Sequence, residues 1–396
     1  MPGPAFIYSE KFQDYDYGGG HPLKMIRLKL TYELLKRYGV FLTPSPYNGP
    51  LPHTLPTCGG GQGGGAVVIE AEPCPRAEAE WVHSPAYLDV LKGIDEGKVP
   101  EALGRYGLGY GDNPAFRGVY AGSMLSTGAS LQAARLVHSG GARYAFNISG
   151  GLHHAMPGRA SGFCYINDPA VAIEYLRREG RKVIYIDIDA HHGDGVQHFF
   201  YDTDEVMTVS LHESGRWLFP GTGYPEDMGE GRGSGYSINL PFLPGTGDEV
   251  FSWGFFELVP KLVATFRPDV IVAQLGCDTF DSDPLTHLRL TTNGFMKMVE
   301  GILGFGLPVV ALGGGGYDVT NVARAWSLAF AAMAGMELPD KLPDASRKML
   351  RDEGYTGDTL MDEPQKMDKA ELERQRDFAG EMLGKIERDI LPVLGY

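Results

Sequence analysis

Short apolar runs alternate with stretches of helical periodicity along most of the chain. The runs at 142–148, 182–188, 205–211, 269–275 and 307–312 read as buried strands. Segments 22–38, 119–138, 168–179, 249–266, 291–304 and 319–335 carry a helix period, the first of them stopped by Gly39. This alternation predicts an α/β fold: a single domain with a mostly parallel central sheet flanked by helices on both faces. Residues 42–66 are rich in proline and glycine and read as an irregular surface loop. From about 340 to 390 the chain becomes dense in charged residues, and 368–388 reads as an exposed charged helix. The expected division is a main domain over 1–335 and a charged, helical extension over 336–396 that packs on the domain or on a partner subunit.

The chemistry sits where the predicted strands end. After 182–188 comes Asp187-Ile-Asp-Ala-His-His-Gly-Asp-Gly195. Side chains alternate along a strand, so Asp187 and Asp189 share a face, and two carboxylates there need a cation beside them. His191 follows Asp189 closely enough to join it on one metal ion. After 142–148 come Gly150-Gly-Leu-His153-His154, after 205–209 come Ser210-Leu-His212, after 269–275 come Gly276-Cys-Asp278, and after 307–312 come four glycines and Tyr317. Sites in open α/β sheets form beyond the carboxyl ends of the strands, so five such ends predict one shared rim.

Asp189, His191 and Asp278 make an Asp₂His set with room for a fourth ligand, the arrangement of a catalytic metal rather than a structural one. Two oxygen donors would let Fe²⁺ or Co²⁺ compete with Zn²⁺. His153 and His154 each need a partner at the second ring nitrogen, and Asp187 and Asp194 are the spare carboxylates. Two His–Asp pairs beside a metal supply a general base and a general acid. Tyr317 follows glycines that let the backbone approach a substrate, and its hydroxyl suits a developing oxyanion. The same run is not a dinucleotide loop, because Asp318 stands where the last glycine of that pattern belongs.

Composition narrows the class. The chain has 396 residues, 43% of them hydrophobic, enough for a large core. No apolar run approaches the roughly 18 residues of a membrane span, and the first residues do not resemble a signal peptide. Its four cysteines (Cys58, Cys74, Cys164, Cys277) show no CxxC spacing, which fits a reduced, cytoplasmic protein. A net charge of −15 disfavours nucleic acid and anionic membranes as partners and is compatible with a cationic substrate.

Six blocks closely resemble the histone deacetylase family, within the arginase-like fold. They are Gly150-Gly-Leu-His-His-Ala155, Ser161-Gly-Phe-Cys-Tyr-Ile-Asn-Asp168, Asp187–Gly195, Phe219-Pro-Gly-Thr-Gly223, Gln274-Leu-Gly-Cys-Asp278 and Leu312-Gly-Gly-Gly-Gly-Tyr317. Asp283-Pro-Leu-Thr-His287 and the C-terminal extension look most like the bacterial acetoin-utilisation branch, itself similar to class I enzymes. The resemblance spans roughly residues 5–335 and implies a zinc-dependent deacetylase domain with structural K⁺. It makes Asp189, His191 and Asp278 the metal ligands, His154 with Asp194 the proton shuttle, and His153 with Asp187 its electrostatic partner. Tyr317 would hydrogen-bond the substrate carbonyl. Gly162, Phe163, Phe219 and Gly315 would line a narrow tunnel, with Leu285 near its rim, Asp112 holding substrate backbone there and Arg27 in an exit channel for acetate. One potassium site would use Asp187, Asp189, His191, Ser210 and Leu211, the other Phe200, Thr203, Val206 and Tyr236. Cys277 departs from the family's usual alanine and reads as an apolar filler. Trp217 and Leu218 depart from the usual pattern before Phe219.

The implied reaction removes acetyl or a short acyl group from acyl-lysine in proteins or peptides. The alternatives are a deacetylase of small N-acetyl amines such as acetylpolyamines, an arginase-like ureohydrolase, which needs two metals, and a non-catalytic acyl-lysine binder. The substrate partner is thus an acylated peptide or small amine, and a homo-oligomer is compatible with the sequence.

Overall fold

The structure, a computed structural model, describes residues 3–42, 47, 49, 65–98, 101–109 and 111–395. Most of the proline- and glycine-rich stretch, with Cys58, lies outside them. The chain begins with β1 (Ala5–Tyr8), α1 (Ile26–Arg37), β2 (Val67–Glu70), α2 (Arg76–Ala79) and α3 (Pro85–Asp95). Next come α4 (Val119–His138), β3 (Tyr144–Asn147), α5 (Asp168–Arg178), β4 (Val183–Asp187), α6 (Asp194–Phe199) and β5 (Val206–Glu213). The order continues β6 (Ser237–Phe242), α7 (Asp248–Phe266), β7 (Val270–Gln274), α8 (Thr292–Gly304), β8 (Val309–Leu312) and α9 (Val319–Met333). Helices α10 (Asp344–Asp352) and α11 (Lys369–Asp389) close the described chain.

The eight strands form one sheet in the order β2-β1-β3-β8-β7-β4-β5-β6. Every pairing is parallel. Parallel strands need crossover helices, and these cover the sheet. All five residues of β4 are buried, those facing up and those facing down alike, as a strand covered on both faces requires. The predicted α/β architecture holds. Three strands add to the five expected: β1 and β2 at one edge and β6 at the other.

Beyond 335 the chain packs on the body at two places, a small separate cluster and the main core. Helix α10 seals Leu30 and Leu34 of α1 together with Leu342, Leu350 and Leu360. Helix α11 packs on β6 and α7. It buries Ala379, Met382, Leu383 and Ile386 in the main hydrophobic cluster, so the helix expected to be exposed and charged is amphipathic.

Candidate active site

The five strands whose ends carry the polar clusters are consecutive in the sheet, β3-β8-β7-β4-β5. Parallel register brings Asn147, Leu312, Gln274, Asp187 and Ser210 into one row. The segments that follow them therefore meet above a single edge, as the sequence predicted.

Asp189, His191 and Asp278 come together first. One ligand atom from each lies within 4.8 Å of the other two, and all three residues are buried. His191 Nδ1 is 2.8 Å from Asp278 Oδ2 and 3.2 Å from Asp189 Oδ1. Among the described residues no lysine or arginine forms an ion pair with either carboxylate. Two buried carboxylates converging on one imidazole nitrogen are under-neutralised, and a divalent cation among them fits that donor set. The surroundings fix the carboxylates. Asp189 Oδ2 accepts from Gln274 Nε2 at 2.6 Å and from the Gly315 amide at 2.8 Å, and Asp278 Oδ1 accepts from the Ala190 amide at 2.8 Å. Gly315 must be glycine here, because a Cβ would lie 2.0 Å from Asp278 Oδ2.

The two histidines take the two spare carboxylates. His153 Nδ1 donates to Asp187 Oδ2 at 2.8 Å, and His154 Nδ1 donates to Asp194 Oδ1 at 2.7 Å. Their environments drive them apart. Burial opposes charge on His153, but Asp187 and then Asp189 outweigh it and raise its pKa to about 9. Burial and the charge of His153 push His154 down to about 4. Asp187 receives a further bond, from Tyr185 Oη at 2.8 Å. Tyr185 lies two residues back on the same strand face, a spacing legible in the sequence.

Tyr317 stands across the pocket, its ring edge-on to Phe163 at 5.6 Å. Burial and then the Asp278 charge raise its pKa well above the ordinary phenol value, so it stays a donor. The pocket is lined by Leu23, Leu152, His153, His154, Gly162, Phe163, Cys164, Asp189, His191, Gly315 and Tyr317. Phe163 has φ 68°, an unusual conformation outside glycine, and its carbonyl is held by Tyr17 Oη at 2.7 Å. Phe219 stacks edge-on against His154 at 5.0 Å, and a Cβ on Gly162 would come within 2.8 Å of it. Leu23, Leu152 and Cys164 were missed from sequence, because nothing local marks a residue that only lines a space.

The outer residues spread wider. Asp112 is exposed, joined to the Phe163 side by its carbonyl, which lies 3.2 Å from His21 Nε2. Leu285 is exposed on the loop after Asp278 and does not line the pocket. Trp217 is exposed and meets Phe378 of α11, with ring centres 6.5 Å apart. Arg27 is buried, donating from Nη1 to the carbonyls of Gly314 and Gly316 at 2.8 and 3.1 Å. It borders a second cavity that shares Leu23 and Leu152 with the first. Cys277 is buried with its thiol pKa raised by that burial, as an apolar filler requires. Of the residues given to potassium, Asp187 and Ser210 pair across β4 and β5, while Phe200, Thr203, Val206 and Tyr236 lie in the segments around the start of β5 and β6.

The chain is similar to known proteins over most of its length. A model of the histone deacetylase domain matches residues 21–333. The acetoin utilization protein AcuC of Bacillus subtilis is 39% identical over 351 residues, 87% of this chain and 85% of that protein. Human histone deacetylase 1 is 38% identical over 86% of this chain, which spans only 66% of the human protein's length. The crystal structure of a homolog from Aquifex aeolicus superposes with a TM-score of 0.81 at 32% identity, covering 95% of this chain and 99% of that one.

Proposed function

The chain belongs to the histone deacetylase family, and on that premise we propose that it is a metal-dependent amidohydrolase that removes acetyl, or a related short acyl group, from the side-chain amine of acyl-lysine in proteins or peptides. The observation that carries the reading is the meeting, in one pocket, of the Asp₂His set, two His–Asp pairs and Tyr317.

Asp189, His191 and Asp278 would hold the cation, Zn²⁺ by preference and Fe²⁺ as competitor. Such an ion polarises the acyl carbonyl and makes bound water more acidic. His154, the neutral member of the pair, takes the water proton at Nε2 while Asp194 holds its Nδ1–H in place. His153, kept charged by Asp187, stabilises the negative charge that develops. Tyr317 donates its hydroxyl to the former carbonyl oxygen. His154, now protonated, returns the proton to the departing amine, so one histidine serves as base and then acid. Phe163 and Phe219 would flank the aliphatic stem, with Gly162 and Gly315 leaving it room. Asp112 and Leu285 would meet the substrate outside, and Arg27 would border the path by which acetate leaves.

The proposal extends to two structural K⁺ sites, supported by the pairing of Asp187 with Ser210. It places the enzyme in the cytoplasm, where the buried, unpaired thiols of Cys74, Cys164 and Cys277 would stay reduced. No helix among the described residues is long and apolar enough to cross a membrane. We further propose that residues 1–335 form the catalytic domain and 336–396 an extension docked on it.

Acetate release from acylated peptides and acetylpolyamines, measured side by side on Zn²⁺- and Fe²⁺-loaded protein, tests the reading. Turnover of acetyl-lysine peptide is expected. Turnover of the polyamines alone would transfer the assignment to small amines, and no turnover of any would overturn it.

A further inference from the structure

The four glycines before Tyr317 leave its backbone without side chains to wedge it in position, so its placement depends on what grips the main chain. Arg27 holds the carbonyls of Gly314 and Gly316, Cys277 donates its amide to Gly315 O at 2.8 Å, and Asp189 takes the Gly315 amide. The Tyr317 amide itself goes elsewhere, to Asp283 Oδ2 at 2.8 Å. The other oxygen of that carboxylate, Oδ1, accepts the Leu285 amide at 3.0 Å. Asp283 is buried, whereas Leu285 two residues on is exposed. A second link joins the same two loops: Ser282 Oγ donates to Asp318 Oδ2 at 2.7 Å, and Asp318 in turn caps α9.

We propose that Asp283 is a positioning residue that sets the Tyr317 hydroxyl by bridging the Tyr317 and Leu285 amides, coupling the exposed loop 281–287 to the oxyanion donor. It rests on the oxyanion role given to Tyr317 above. The carboxylate has two acceptor oxygens for two amide donors, and one rigid group spanning both fixes the Tyr317 backbone relative to the loop. Asparagine in its place retains one acceptor and turns an N–H₂ toward the other amide, which opens one arm of the bridge. A displacement of about 1 Å at a positioned catalytic group costs up to about 100-fold in rate.

The experiment is a double-mutant cycle on metal-loaded enzyme with Asp283→Asn, Tyr317→Phe and the double variant, reading kcat, KM, metal content and Tm. Asp283→Asn is expected to lower kcat roughly 10- to 100-fold with KM within about threefold. In the Tyr317→Phe background the same change should lower kcat by less than about threefold, because the group being positioned is gone. Equal losses in both backgrounds, or no loss from Asp283→Asn, would overturn the proposal and leave the role of Tyr317 standing. Normal kcat in Tyr317→Phe alone would instead remove the role of Tyr317, and this proposal with it. Asp283→Glu, one methylene longer with both acceptors kept, takes the same cycle if the asparagine variant does not fold.

Discussion

The Nε2 atoms of His153 and His154 lie 3.0 Å apart, so that edge holds one proton between two rings. The charge environment says which ring carries it: His153 is raised to about 9 and His154 lowered to about 4. His154 Nε2 is left unprotonated, its lone pair accepting from His153 Nε2–H, and an unprotonated ring is the state a general base needs. His154→Ala is therefore expected to lower kcat by roughly 10²–10⁴. His153→Ala, which removes a charge and no proton carrier, should cost less. Steady-state kinetics on both variants settles the order, and a larger loss at His153 would exchange the two roles.

Tyr317 carries a single expectation of its own. Its hydroxyl is the proposed oxyanion donor, and Tyr317→Phe removes that oxygen and leaves the ring packed on Phe163. Removing one such donor lowers kcat by roughly 10²–10³. KM should move little, because the bond strengthens only as charge develops.

Chelation should expose the ligand set through stability as well as activity. Ion binding at 1,000 times its Kd stabilises the native state by about 4 kcal/mol. Chelated wild-type protein should melt several degrees below the Zn²⁺-loaded form. Asp278→Asn removes one of the three proposed ligands, so metal analysis should find it substoichiometric and chelation should hardly move its Tm. An unchanged metal content in this variant would remove Asp278 from the set.

Much of this site is readable from sequence because its residues stand in short, glycine-rich blocks at strand ends, where spacing alone fixes which face they share. The partners of those residues are a different matter. Gln274 and Asp283 act through contacts that only the fold creates, such as the bond to Asp283 from an amide 34 residues away. In strand β6, Pro241 argues against a strand interior; it is tolerated because β6 is an edge, with β5 its one neighbour among the described residues. Strands β1 and β2 are four residues each, as short as β3 and β8, but no glycine run follows them to mark a strand end. In α11 the charges drew the eye, yet Ala379, Met382, Leu383 and Ile386 follow the i, i+3, i+4, i+7 spacing of a buried stripe.

That stripe makes the extension testable. Ile386 is fully buried in the main core, on a helix that packs against β6 and α7. Ile386→Ala should cost about 2–5 kcal/mol, seen as a Tm several degrees lower. If the extension were a free appendage, thermal melting of this variant would match the wild type.

Acid should loosen the loop that carries His153 and His154 through His83. This histidine is buried, and its Nε2 accepts the Asn167 amide at 2.9 Å, which requires the neutral ring. Asn167 in turn donates through its side chain to the carbonyls of His153 and Ala155, both at 3.0 Å. Burial lowers the His83 pKa from 6.5 to about 4. The unfolded chain therefore takes up a proton near pH 6.5 that the folded one refuses until about pH 4. The stability this group contributes is complete above pH 6.5 and is lost as pH falls toward 4, to a total of about 3 kcal/mol. His83→Gln keeps an acceptor for the Asn167 amide but cannot titrate. Its Tm should fall less steeply than that of the wild type between pH 6.5 and pH 4, whatever its Tm at neutral pH. Parallel Tm profiles for the two proteins across that interval would show that His83 is not the titrating group.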